Sequence, residues 1–121
     1  MAKKINCLIS AGPTREWIDP VRFISNPSSG KMGYALAREA YKRGFVVNLV
    51  SGPVSIKAVD GIMLTRVETA EEMRRAMIEK FGSSDLILMC AAVSDHKPKI
   101  KWQQKKKKDQ FPQNIELIPN E

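Results

Sequence analysis

The sequence predicts an α/β fold in which helices alternate with the strands of a mainly parallel sheet. Two runs, residues 45–50 and 85–92, are almost continuously apolar, which is typical of strands covered on both faces. Amphipathic helical patterns lie before and between these runs. Because strand–helix–strand alternation implies parallel pairing with right-handed crossovers, we expect a Rossmann-like three-layer αβα sandwich.

Seven elements are predicted along the chain. A first strand is expected at residues 5–9 and a first helix at residues 31–43. The other elements are strands at 45–50, 62–67, 85–92 and 115–118, and a second helix that begins after Thr69 and ends at Gly82. The 121 residues suffice for one core, so a single nucleotide-binding α/β domain is predicted over residues 1–121.

The first helix is expected to pack on the sheet through apolar residues at helical spacing. These are Met32, Ala35, Leu36 and Ala40. Gly44 stands just past the helix end, where glycine favours a C-terminal cap.

The second helix begins with a capping box. The Thr69 hydroxyl and the Glu72 carboxylate have the spacing to satisfy each other's backbone amides. Met73, Ala76 and Met77 share one face of this helix, so we expect them in the core.

The charge of the chain is concentrated in one segment. Twenty lysines and arginines against 13 acidic residues give a formal net charge of +7. Residues 97–108 contain seven lysines and no acidic residue, so the remainder is neutral overall. We therefore expect a flexible lysine-rich loop at about residues 97–112.

Nucleic acid binding is an alternative function for this loop. Trp102 and Phe111 would stack on bases while the lysines contact phosphates. However, the charge forms one loop rather than a stripe, and no nucleic-acid recognition module is visible. We therefore expect no nucleic-acid partner.

Nothing in the sequence indicates a membrane or a metal site. No window approaches the roughly 18 apolar residues of a membrane span, and no secretory apolar stretch follows the first residues. We expect a cytoplasmic protein without a membrane partner. Cys7 and Cys90 lie in apolar runs without His or Cys at metal-ligand spacing, so buried reduced thiols are expected and no metal ligands.

A candidate anion site precedes the first helix. The loop Ser28-Ser29-Gly30 follows Asn26-Pro27 and ends where that helix begins. Serine and glycine allow close approach of the backbone to a ligand, and a helix N-terminus attracts anions. A second interpretation is that a serine caps the helix while Gly30 and Gly33 allow close packing on a strand. The loop alone favours neither interpretation.

Further polar loops follow three predicted strands, at residues 10–12, 51–53 and 91–95. Carboxyl ends of parallel strands share one edge of a sheet, so these loops and the candidate anion site are expected to form one cleft. There is no GxGxxG fingerprint, which argues against the alternative of an NADPH- or flavin-binding oxidoreductase. Nor is there a P-loop, because Met32 follows Gly30-Lys31.

Four segments together resemble phosphopantothenoylcysteine synthetase. They are residues 10–33, Ser51-Gly52-Pro53-Val54, residues 67–73 (VETAEEM) and Ala91-Ala92-Val93-Ser94-Asp95. In this family the domain often follows a flavin-dependent decarboxylase, hence the label DNA/pantothenate metabolism flavoprotein. The flavin half has no counterpart here, so no flavin is expected on this chain. The family domain normally continues beyond the segment matched here, so we expect this chain to contain about half a synthetase domain and an incomplete sheet.

The resemblance implies a ligase of coenzyme A biosynthesis. The family joins 4′-phosphopantothenate to L-cysteine with a nucleotide, CTP in most bacteria, through an acyl-nucleotide intermediate. Mg²⁺ and a lysine would neutralise phosphate charge, and no protein nucleophile is required. A homodimer with shared sites is likewise implied.

The resemblance also implies roles for individual residues. Asn26 matches the asparagine that holds the intermediate, and Lys105 fits the catalytic lysine, with Lys107 as second choice. The nucleotide phosphates would contact the loop residues Gly12, Ser28, Ser29, Gly30 and Gly33. The substrate 4′-phosphopantothenate would be bound by Asn26, Ala91, Ala92, Asp95 and, from the neighbouring subunit, Arg22. Arg22 equally fits a surface arginine that pairs with Asp19, and Ser94 stands where many relatives have alanine.

Overall fold

A computed structural model describes residues 4–105 and 110–120. Ten elements follow in chain order, of which eight are strands. They are β1 (Asn6–Ala11), β2 (Arg15–Trp17), β3 (Phe23–Ser25), α1 (Lys31–Lys42), β4 (Val46–Ser51), β5 (Met63–Arg66), α2 (Ala70–Phe81), β6 (Leu86–Met89), β7 (His96–Pro98) and β8 (Leu117–Pro119).

The central sheet is parallel and has four strands in the order β5-β4-β1-β6. The central strand β1 pairs with β4 on one side and β6 on the other, so that Cys7 lies opposite both Val47 and Leu86. The chain therefore reverses its direction of winding between β1 and its two neighbours, which is the arrangement that opens a crevice at the carboxyl edge of such sheets.

The two helices cover opposite faces of this sheet. Alternate residues of β1 point to the two sides: Cys7 and Ile9 pack under α1, whereas Leu8 packs with Met73 and Ala76 of α2. The three-layer αβα architecture predicted from the sequence is thus confirmed.

The predicted packing face of α1 was wrong in part. The structure buries Gly33, Tyr34, Ala37 and Ala40, while Met32 is 71% exposed and Ala35 and Leu36 face solvent. The cause is Gly33, because a Cβ at this position would overlap the Cβ of Ala11. Without that Cβ the backbone of the helix lies directly on β1, and this contact turns Met32 outward.

Both predicted helix signals are confirmed. The Glu72 amide donates to Thr69 Oγ1 at 3.1 Å, and the Thr69 amide donates to Glu72 Oε1 at 3.0 Å, which is the expected capping box. Gly44 has φ +85° just past the end of α1 and donates its amide to the Tyr41 carbonyl.

Strand β6 is shorter and more exposed than the predicted strand at 85–92. It spans only Leu86–Met89 and lies at the edge of the sheet, so Leu86 is 38% and Met89 79% exposed. Ile87 and Leu88 pack against the two core clusters on opposite faces but are only half-buried, so the expectation of full burial on both faces fails at this edge strand. A largely apolar groove of about 350 Å³ runs between this strand and α2, with Met77, Ile78 and Phe81 on the helix side.

Two small antiparallel hairpins stand outside the central sheet. Strands β2 and β3 pair with Arg15 opposite Ser25, and β7 pairs with β8, so that His96 lies opposite Pro119. The predicted last strand at 115–118 is observed in part, as β8 at residues 117–119, and it pairs with β7 rather than with the central sheet. The beginning of the predicted lysine-rich loop, residues 97–98, belongs to β7. In the described part of the chain, neither helix is long and apolar enough to cross a membrane.

Candidate functional site

Three loops meet at the carboxyl edge of the central sheet. A Cβ on Gly12 would lie 2.9 Å from Val54 Cγ1, and one on Gly30 would lie 3.0 Å from the same methyl group and 3.6 Å from the Gly12 Cα. Both glycines also have positive φ, +78° and +79°, which L-residues rarely adopt. The loops after β1, before α1 and after β4 are therefore in direct contact.

The loop before α1 leaves the N-terminus of that helix without a side-chain cap. The N-cap is Gly30; the hydroxyls of Ser28 and Ser29 instead accept from the amides of Gly30 and Lys31, each at 3.3 Å. Within the described residues, no side chain caps the helix, and its first turn contains no acidic residue. Neither serine is the N-cap residue, although Ser29 does accept the amide of Lys31, the first residue of α1. The positive end of α1 faces no acidic side chain of its own first turn and thus suits an anion.

Gly33 has a different place from the other glycines of the loop region. It is buried against Ala11, so close packing on β1 accounts for this glycine without any ligand. The second interpretation of the sequence therefore holds for Gly33, whereas Gly30 is required by its positive φ.

A hydrogen-bonded pair fixes the first turn of α1 to β4. The buried Tyr34 hydroxyl donates to Ser51 Oγ at 2.7 Å, and the Ser51 hydroxyl donates in turn to the Gly52 carbonyl at 2.7 Å. Sequence reasoning missed this contact, because residues 34 and 51 belong to different elements and neither pattern nor spacing relates them.

The segment 91–95 lies against the loop after β1. The Ala92 amide donates to the Gly12 carbonyl at 2.8 Å, and Asn26 Nδ2 donates to the Val93 carbonyl at 3.2 Å. Asp95 is exposed, and Ala91 and Ala92 are half-buried. The structure thus brings Asn26, Gly12 and this segment together, as the convergence of strand ends predicted.

Arg22 pairs within its own hairpin. Its guanidinium donates to Asp19 Oδ2 at 2.7 Å and stacks on the Phe111 ring at 4.4 Å from the centroid. The buried Asp19 also accepts the amides of Val21 and Arg22 through Oδ1, which shapes the turn between β2 and β3. The ion pair between Arg22 and Asp19, one of the two interpretations of Arg22 given above, is therefore present. The Arg22 side chain is 36% exposed.

Of the two candidate lysines, only Lys105 lies among the described residues. Lys105 is exposed, and no hydrogen bond or ion pair links it to any described residue. Lys107 lies outside the described residues. The geometry of the cleft is thus established without its proposed lysine.

Glu16 is a buried carboxylate that the sequence did not single out. Its Oε1 accepts the amide of Ala70, the first residue of α2, at 2.8 Å, and only 4% of the residue is exposed. Burial raises the pKa of this carboxyl, while the Ala70 amide and the Lys97 ammonium group act in the opposite direction. Glu16 therefore connects the β2–β3 hairpin to the start of α2.

In residues 4–105 and 110–120, cysteine and histidine side chains form no cluster that could catalyse a reaction or bind a metal. No group of three His, Cys, Asp or Glu in that part of the chain has the geometry to hold a metal ion. Both cysteines are free thiols; Cys7 is buried, which raises the pKa of its thiol, whereas Cys90 is only half-buried, so burial was correctly expected for Cys7 alone.

The fold and the cleft together define a Rossmann-like α/β domain in which several loops meet at the carboxyl edge of a parallel sheet, the place where such folds bind ligands. Residues 2–121 match the family described as DNA/pantothenate metabolism flavoprotein C-terminal domain. The chain belongs to this family, which confirms the resemblance that the sequence motifs indicated.

Three similar proteins are longer than this chain. It is 49% identical over 115 residues to the coenzyme A biosynthesis bifunctional protein CoaBC of Vibrio parahaemolyticus, covering 93% of this chain and 29% of that protein. The crystal structure of the C-terminal domain of a CoaBC is 41% identical with a TM-score of 0.83, covering 96% of this chain and 54% of that one. A Cab2 mutant in complex with phosphopantothenate-cysteine is 16% identical with a TM-score of 0.51, covering 96% and 57% of the two chains, and shows the fold alone. The chain thus spans less than a third of the CoaBC protein.

Proposed function

We propose that this chain provides the nucleotide- and phosphopantothenate-binding part of a ligase that joins 4′-phosphopantothenate to L-cysteine, with CTP as co-substrate. The single most important observation is the contact of Asn26 with the Val93 carbonyl beside the uncapped N-terminus of α1. The family and the CoaBC relative support this substrate class.

The nucleotide phosphates would lie at the N-terminus of α1. Gly12 and Gly30 bring their two loops into close contact beside this N-terminus. The hydroxyls of Ser28 and Ser29, which accept from backbone amides, would donate their own protons to a phosphate. Gly33 would act through its packing and its amide alone. Lys105, with Lys107 as second choice, would close over the phosphates from the lysine-rich loop.

The reaction would proceed in two steps without a protein nucleophile. A carboxylate oxygen of 4′-phosphopantothenate attacks the α-phosphorus, and the bond to the β-phosphate oxygen breaks to release pyrophosphate. The cysteine amine then attacks the acyl carbon, loses a proton, and displaces the nucleoside monophosphate. The Asn26 amide would hold the acyl-nucleotide, since it donates and accepts without adding charge.

Magnesium would arrive with the nucleotide. The described residues contain no three-residue metal cluster, whereas Mg²⁺ typically keeps several waters and uses substrate phosphates with one or two carboxylates. Asp95 is exposed at the cleft, and its carboxylate would accept hydrogen bonds from the hydroxyl or amides of 4′-phosphopantothenate. Ala91 and Ala92 would admit 4′-phosphopantothenate against the backbone.

Arg22 is the residue that would act across the implied homodimer. Its side chain is partly exposed while one edge of the guanidinium is bound to Asp19. Asp19 thereby orients the arginine, which would reach a substrate phosphate across a two-fold axis, as the family resemblance implies.

Calorimetric titration at physiological salt tests this proposal. We expect Mg–CTP to bind more tightly than Mg–ATP, and NADPH not to bind. In addition, Asn26→Asp should abolish pyrophosphate release from CTP with 4′-phosphopantothenate and L-cysteine, because it places a negative charge beside the acyl phosphate. The exposed Asn114→Asp is the matched control. Binding of NADPH alone, or unchanged catalysis by Asn26→Asp, would overturn the proposal.

A further inference from the structure

We propose that Thr14 is a positioning residue that sets the spacing between Asn26 and Asp95 across the cleft; this role rests on the function proposed above. Thr14 follows β1 and is fully buried, so it touches no ligand. Its effect must therefore pass through the residues to which it is hydrogen-bonded.

Thr14 is bonded on both sides of the cleft. Its Oγ1 accepts the Ser94 amide at 2.9 Å, directly before Asp95. Its carbonyl accepts the Ser25 hydroxyl at 2.7 Å, directly before Asn26. Its amide donates to the Ala92 carbonyl at 3.3 Å. One residue thus joins the strand that precedes Asn26 to the segment that contains Asp95.

These bonds are better suited to fix the segment than the direct contact across the cleft. The bond from Asn26 Nδ2 to the Val93 carbonyl is 3.2 Å long and exposed, where water competes for both groups. The Ser94 amide, in contrast, belongs to a residue that is only 4% exposed and bonds at an optimal distance. Buried hydrogen bonds to a rigid partner hold geometry more firmly than exposed ones.

The hydroxyl of Thr14 is the group on which this role depends. Valine has nearly the same shape, but it would leave the buried Ser94 amide without an acceptor. That amide would then have to turn toward solvent, which would displace Asp95 relative to Asn26. Serine keeps the acceptor and loses only a methyl group.

The test compares Thr14→Val and Thr14→Ser with Thr65→Val, a matched substitution on the far strand β5. We expect Thr14→Val to speed hydrogen exchange of the Ser94 amide and to weaken 4′-phosphopantothenate binding about tenfold, the equivalent of one buried hydrogen bond. Mg–CTP binding should change less than twofold, because the Gly12 and Gly30 loops do not depend on Oγ1. Thr14→Ser should restore both properties, and Thr65→Val should alter neither.

Several results would overturn this role. An unchanged hydrogen-exchange rate of the Ser94 amide together with unchanged 4′-phosphopantothenate affinity in Thr14→Val would do so. An equal loss of affinity for 4′-phosphopantothenate and Mg–CTP would do so as well, because it would indicate a general loosening of the fold. If Thr14→Val does not fold, Ser25→Ala removes the other bond and must give the same selective loss. If the wild-type chain binds neither ligand, the proposed function fails, while the exchange rates still decide whether Thr14 holds the Ser94 segment.

Discussion

Replacement of Ser94 by alanine should stabilise the protein. Ser94 is only 4% exposed, and its Oγ has no hydrogen-bond partner among the described residues. Its amide and carbonyl are bonded to Thr14 and Asn120, and alanine keeps both of these bonds. Only the unpaired hydroxyl is removed.

The magnitude follows from the cost of burying such a group. An unsatisfied buried polar group costs about 1–3 kcal/mol, and we take the lower end because the hydroxyl of serine rotates freely to its best orientation. A gain of about 1 kcal/mol in a chain of this size raises Tm by about 4 °C.

Differential scanning calorimetry of the unliganded protein measures this change. Ser55→Ala, at an exposed serine, is the matched control and should shift Tm by less than about 1 °C. A lower Tm for Ser94→Ala would refute the reasoning, because it would show that the hydroxyl has a partner that stabilises the fold.

Three further substitutions test separate contacts. Gly30→Ala should lower stability by about 1–2 kcal/mol, because φ is +79°, while Gly82→Ala, at φ −64° in open space, should not; equal effects in calorimetry would contradict this. Tyr34→Phe should cost about 1 kcal/mol in urea unfolding by removing the bond to buried Ser51, and an unchanged midpoint would exclude that contribution. Burial raises the pKa of Glu16 above its ordinary 4.5, so the folded state binds this proton more tightly and stability falls as pH rises through the folded pKa; Glu16→Gln should remove this fall above pH 4.5, and a persistent fall would assign it to other groups.

The parts of the fold that the sequence predicted correctly depend on local contacts. The capping box at Thr69 and the glycine after α1 involve residues that are neighbours along the chain, so spacing alone reveals them. The face of α1 depends instead on the contact of Gly33 with Ala11 of another element. The β2–β3 hairpin was missed because its strands are only three residues long and its turn is held by the side chain of Asp19.

The candidate site shows the same division. The meeting of the Gly12, Gly30 and Gly52 loops could be predicted, since parallel strands end at one edge of a sheet. The residues that hold these loops in place, Thr14 and Tyr34, could not. Each acts through a partner at least 11 residues away in sequence, and nothing in a single sequence relates such pairs.

Several buried polar side chains lie at the carboxyl edge of the central sheet, where the loops of the candidate site must be held at defined distances. The buried polar residues in the described part of the chain are Ser10, Thr14, Glu16, Asp19, Ser51 and Ser94. Of these, Ser10 and Ser51 lie at the ends of β1 and β4, and Thr14 and Ser94 lie in the segments that follow β1 and β6. Burying such groups costs free energy unless each finds a partner, and an apolar residue would fill the same space more cheaply. A hydrophobic contact, however, tolerates sliding, whereas a hydrogen bond at 2.7–2.9 Å fixes both distance and direction. The loops at this edge are thus held at defined distances by polar contacts, which is what a site that positions two substrates requires, since small displacements of reacting groups are costly in rate.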